Sequence, residues 1–137
     1  MLNIVFVTVK NPIDKLSKIY QISLSHFDKR EKILILTSDV KAAEFLDSWL
    51  WKHSAESFLP HALGSSSSEE WIKIGKDKHS FPDANILFNL HSETPSFPLV
   101  DYKIIYEWND LSSAEKEYSS HRRFLFYREK GYAISME

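Results

Sequence analysis

Residues 3–9 read NIVFVTV, from Asn3 to Val9. The stretch is β-branched and almost continuously apolar, the pattern of a strand covered on both faces rather than one with a wet side. Asn11-Pro12 marks a turn after it. From Ile13 onward Leu16, Ile19, Tyr20, Ser23, Leu24 and Phe27 recur at helical spacing until the charged run Asp28 to Lys32. Ile33 to Leu36 is a second short apolar strand, and Thr37-Ser38-Asp39 offers N-cap residues for a second helix beginning at Val40. Strand, helix, strand, helix with short connections is the βαβ signature. It predicts an α/β domain whose mostly parallel sheet carries helices on its faces.

The second helix places Phe45, Leu46, Trp49 and Leu50 on one apolar face, with Trp51 beside it, and runs into an apolar loop ending Phe58-Leu59-Pro60-His61. Residues two apart on a helix cannot share a surface. Trp49, in line with Phe45, is therefore assigned to the core. For Trp51 and Phe58 the pattern leaves two readings open, core or an aromatic anchor for a protein partner. Gly64 and Ser65 to Ser68 make a surface loop, and Trp71 to Ile74 a short strand at an edge. Asn85 to Leu90 and Tyr102 to Trp108 read as further strands. Asn109 or Asp110 caps a final helix through about Lys130, closed by Gly131, and Tyr132 to Ser135 adds a last short strand. Phe124 to Tyr127 would suit a strand too. Helix is preferred because Leu111, Ala114, Tyr118, His121 and Leu125 keep a helical period. No repeat or linker divides the chain, so residues 1–137 form one domain.

Composition narrows the chemistry. The 137 residues are 43% apolar and 26% charged, ordinary for a folded globular domain, with aromatics high at 14%. A net charge of −2 argues against whole-molecule electrostatic binding to nucleic acid. With no cysteine, thiol catalysis, disulfides and Cys-ligated zinc are excluded. The N-terminal run has neither a basic n-region nor a cleavage site, so the reading is cytoplasmic. The first strand-to-helix turn, Val9 to Asp14, holds no glycine, and the three glycines (Gly64, Gly75, Gly131) form neither a P-loop nor G-x-G-x-x-G. No cofactor is expected. The six histidines show no metal-ligand spacing. His61, or His91 with Ser92 and Glu93 after a strand, would be the groups of a small α/β enzyme. A loop histidine bonded to backbone is the simpler reading of His61.

One segment is locally basic. His121 to Lys130 (HRRFLFYREK) holds Arg122, Arg123, Arg128 and Lys130 against Glu129 alone. On a helix His121, Phe124 and Arg128 share a ridge, with Arg123 and Tyr127 on the next. The aromatics are either core, with the cations complementing the helix dipole, or an arginine-rimmed pocket for an acidic peptide. Interleaved aromatics and arginines also suit single-stranded DNA.

The run Leu46-Asp47, Leu50-Trp51, Glu56-Ser57-Phe58, Pro60-His61 with Leu63 resembles the chi subunit of bacterial DNA polymerase III holoenzyme, as do the chain length and the ending Tyr127-Arg128, Gly131-Tyr132. The resemblance implies a single three-layer Rossmann-like domain without a nucleotide-binding loop. It also implies a non-enzymatic adaptor in the clamp-loader assembly that binds the acidic C-terminal tail of single-stranded-DNA-binding protein. Arg128, Arg123 and Arg122 would take the tail's carboxylates, and Phe124, Tyr127 and Trp108 its terminal aromatic residue. Trp51 and Phe58 would dock a psi subunit or a repair helicase. His121 and Leu125 stand where better-known members carry a basic residue.

Overall fold

The doubly covered character of residues 3–9 is realised: Ile4, Phe6, Val7 and Val9 are all buried in the first strand, β1 (Asn3–Val9). The structure, a computed structural model, describes residues 2–53, 61–63 and 70–137. Phe58 and the serine-rich loop of the sequence reading lie outside them. After β1 come α1 (Pro12–Asp28), β2 (Ile33–Leu36), α2 (Val40–His53), β3 (Ala62–Leu63), β4 (Ile72–Gly75), a single 3-10 turn, β5 (Ile86–Asn89), β6 (Ile104–Asp110), α3 (Ala114–Glu129) and β7 (Ala133–Met136). The seven strands lie in the order β3-β4-β2-β5-β6-β1-β7, and every pairing is parallel.

Alternation along the strands divides the core in two. Val5, Val7 and Val9 join Ile33, Ile35 and Phe88 on the face packed by Ile19 of α1 and by Ala43, Leu46 and Leu50 of α2. Ile4, Phe6, Leu34 and Leu87 face the other way, toward Tyr127 of α3. The result is the three-layer, Rossmann-like α/β arrangement. Asn11 caps α1, its side chain accepting from the Asp14 N–H at 2.8 Å, and Pro12 fits the first turn because that N–H has no helical partner. Asp39 performs the same task for α2, accepting from the Ala42 N–H at 2.7 Å.

Four local expectations change. Residues 72–75 are not at an edge, because the two-residue β3 pairs outside β4. Phe45 is 61% exposed, and Trp49 is half-buried against the core; the helix turns Leu46 and Leu50 inward and leaves Phe45 on its outer side. Asn109 and Asp110 finish β6 rather than cap α3. Asp110 binds the Ser112 N–H at 3.0 Å, and this turn delays the helix to Ser113, whose Oγ accepts from the Lys116 N–H at 3.1 Å. Finally, Leu111 precedes α3, in the turn after β6; Ala114, Tyr118 and His121 lie on the exposed side of the helix, and its buried residues are Ser120, Arg123 and Tyr127.

Candidate functional site

The inner face of α3 is polar because of what lies beneath it. Glu107 sits in the middle of β6 and is fully buried on the α3 side, while its neighbours Tyr106 and Trp108 point to the α1 side. Its carboxylate accepts from Arg123 Nε at 2.9 Å, Asn89 Nδ2 at 2.7 Å and the Tyr127 hydroxyl at 2.8 Å. Burial pushes the Glu107 carboxyl above its ordinary value, and Arg123, Asn89 and Tyr127 pull in the other direction. Burial also drives the Tyr127 hydroxyl far up, with the Glu107 charge adding to it, so it stays a donor.

Arg123 has no N–H left over. Beyond Nε, its Nη1 donates to the Ser92 carbonyl at 3.0 Å and to Ser119 Oγ at 2.8 Å. Nη2 donates to the Trp108 carbonyl at 3.2 Å and Ser120 Oγ at 3.4 Å. The fork therefore locks α3 to the end of β6 and to the loop after β5, with all five donors engaged.

The outer face of α3 is flanked by two grooves. One, of 550 Å³, runs between the helix and the β1–β7 side of the sheet, lined by Phe6, Tyr118, His121, Phe124 and Met136, with Glu117 and Asn109. Phe124 packs edge-on against Phe6 at 5.6 Å between centroids, and the Arg128 guanidinium stands 5.9 Å from the Phe124 ring centre. The other groove, of 460 Å³, lies against residues 92–94 and is lined by Arg122, Phe126, Tyr118 and Glu115. A third cavity, of 360 Å³, opens over the C-terminal ends of the strands, where α/β folds usually bind ligands. There Lys15 is already paired with Asp110 at 3.3 Å. Burial lowers the Lys15 ammonium, though Asp110 opposes it.

Residues 1–135 match the family described as DNA polymerase III chi subunit, HolC. The chain belongs to that family. Over 89 residues it is 29% identical to the DNA polymerase III subunit chi of Pseudomonas aeruginosa, a stretch covering 65% of this chain and 61% of that relative. The chi resemblance read from residues 46–63 is thus shown at family level.

Within this chi-family chain the residues assigned to tail binding separate. Arg122 and Arg128 are exposed and Phe124 is half-buried at the groove. Three assignments need correcting. Trp108 is fully buried on the opposite face of the sheet from α3, because alternation along β6 sends Glu107 and Trp108 to opposite sides. Tyr127 is fully buried against Phe6 and bonded to Glu107. Arg123 is buried with its donors spent on Glu107, Ser92, Ser119, Ser120 and Trp108. Glu107 and Asn89 were missed; a lone acid in YKIIYEW and a lone amide ending ILFN, both within apolar strands, were the signal.

On α2, Trp51 is 44% exposed, its ring 4.3 Å from that of His61. His61 is buried, with Nε2 3.2 Å from the Asp47 carbonyl oxygen, the backbone-bonded role given it above. His91 Nδ1 accepts from the Glu93 N–H at 3.1 Å, and the Ser92 carbonyl accepts from Arg123 and Ser119. The His91-Ser92-Glu93 run is therefore a local turn against α3, and its three side chains do not assemble as nucleophile, base and acid.

Proposed function

We propose that this chi-family chain is a non-catalytic adaptor of the DNA polymerase III clamp-loader assembly in the cytoplasm. Its α3 surface holds the acidic C-terminal tail of single-stranded-DNA-binding protein, and Trp51 docks a second protein, a psi-like subunit or a repair helicase, in support of DNA replication. The observation that carries the tail reading is the pairing of an exposed cation with an open apolar groove: Arg128 stands over Phe124, and Phe124 lines the 550 Å³ groove. An acidic peptide ending in an aromatic residue needs these two elements together, a guanidinium for carboxylates and an apolar slot beside it. Arg122 supplies a second exposed cation across the helix, at the 460 Å³ groove. Trp51 supports the docking role through its exposed indole, buttressed by His61. Among the described residues no helix is long and apolar enough to cross a membrane.

The test is fluorescence polarisation with a labelled peptide copying the tail of the host's single-stranded-DNA-binding protein. Binding is expected at micromolar order, weakening with added salt. Arg128→Ala is expected to weaken it roughly 10- to 100-fold, the range for losing a charge-assisted hydrogen bond. Trp51→Ala is expected to leave it unchanged and to lose the second partner in a pull-down. Undiminished binding by Arg128→Ala would move the tail site elsewhere, and no binding by the wild type would sink the tail reading.

A further inference from the structure

β7 ends the sheet beyond β1, and its backbone is paired on one side only. The Glu137 N–H donates to the Phe6 carbonyl at 2.8 Å, and its carbonyl accepts from the Thr8 N–H at 2.9 Å. Backbone groups of successive strand residues point to opposite sides. Glu137, Ser135 and Ala133 therefore face β1, and the N–H and C=O of Ile134 and Met136 face outward, with no partner among the described residues. Natural edge strands are usually guarded by brevity, proline, lysine or a bulge. Among the described residues the opposite edge strand, β3, has two residues. β7 is four residues, Ala-Ile-Ser-Met, without proline or charge.

This open edge adjoins the apolar groove. Met136 is 55% exposed and lines it with Phe124 and Phe6. Ile134, which shares the α3 side with Met136, is half-buried in the same core layer. Charge is uneven along the edge. Arg128 and Lys130 precede β7 at one end, and Glu137 and Glu117 lie at the other. We infer that the acidic tail binds as an eighth strand on β7, its backbone pairing with Ile134 and Met136, its acidic residues toward Arg128 and an apolar side chain in the groove beside Met136. Strand addition supplies affinity through main-chain bonds and selectivity through alternate side chains, and an unguarded edge next to an apolar slot and a cation offers both. This inference rests on the tail reading above and adds the backbone as its main recognition element.

The experiment uses the full chain and the same tail peptide. Amide hydrogen exchange followed by NMR, with and without saturating peptide, is expected to slow at Ile134 and Met136 by tenfold or more, while Ala133 and Ser135 stay unchanged. Peptides N-methylated at one position at a time are expected to lose tenfold or more in affinity at alternate positions and little at those between. Met136→Pro, which removes an N–H that the fold does not use, is expected to abolish binding, whereas Met136→Leu retains it. The N-methyl series needs no protein variant, so it stands even where the proline disturbs folding. Normal peptide affinity with a flat N-methyl series and no slowed amides overturns strand addition while leaving the tail reading intact. Absence of wild-type binding overturns both.

Discussion

Arg123→Met is the most informative single substitution in this chain. It deletes a guanidinium whose five donors are engaged and leaves the Glu107 carboxylate fully buried with only Asn89 Nδ2 at 2.7 Å and the Tyr127 hydroxyl at 2.8 Å. Removing one member of a buried ion pair costs about 3–5 kcal/mol, because the remaining charge stays desolvated. For a domain of this size that is a fall in Tm of roughly 10–25 °C. The loss also depends on pH. Burial already raises Glu107, and without Arg123 the principal opposing charge is gone. A carboxyl raised in the folded state binds its proton more tightly there than in the unfolded chain. Its penalty is therefore absent below the ordinary carboxylate value and grows as pH rises through the folded one. The difference between variant and wild type, measured by urea unfolding at pH 5 and pH 8, is expected to be smaller at pH 5. Adding Glu107→Leu to Arg123→Met is expected to recover part of the loss, since an apolar replacement removes the stranded charge. A cost below about 1 kcal/mol, the lower end for a buried hydrogen bond, or a cost that does not change with pH, would refute the account of a buried, fully committed pair.

Other outcomes follow from single contacts. Phe124→Ala is expected to weaken tail binding with a smaller salt dependence than Arg128→Ala, because it removes apolar contact rather than charge; equal salt slopes in polarisation titrations would contradict this. Gly75→Ala places a Cβ on Cβ and Oγ of Ser80, and is expected to cost about 1–3 kcal/mol in chemical denaturation; Ser80→Gly in the same background should recover most of it. Glu31 is held below its ordinary value, first by the hydrogen bond to His26 Nδ1 at 2.8 Å, with burial opposing and Lys103 assisting. Its stabilisation is present above the ordinary carboxylate value and is lost as pH falls through the folded one. Glu31→Gln is therefore expected to narrow the gap in stability between pH 7 and pH 4, measured by thermal melts.

Much of the architecture was legible in the sequence. Continuous β-branched runs at residues 3–9 and 33–36, separated by a helix with a Pro12 start, admit little besides a parallel sheet. The chi-like run of Leu, Trp, Pro and His at residues 46–61 carried the family. The candidate site was legible only in outline. A basic, aromatic helix near residues 121–130 was evident, but its inward face was not. The period through Leu111, Tyr118, His121 and Leu125 correctly indicated a helix, yet Leu111 precedes it and Tyr118 and His121 lie on its outer side.

Local pattern determines element type because apolar spacing is a property of a few neighbouring residues. It does not determine which ridge of a weakly amphipathic helix is buried. That choice was made by β6. Glu107, 16 residues before Arg123 in the chain, turns an arginine into the buried side of α3, and alternation sends Trp108 to the opposite layer. What remained accessible, Phe124 and Arg128 on the side of the open β7 edge and Arg122 across the helix, is a selection that only tertiary packing could make, because a buried charge needs a partner brought from elsewhere in the chain.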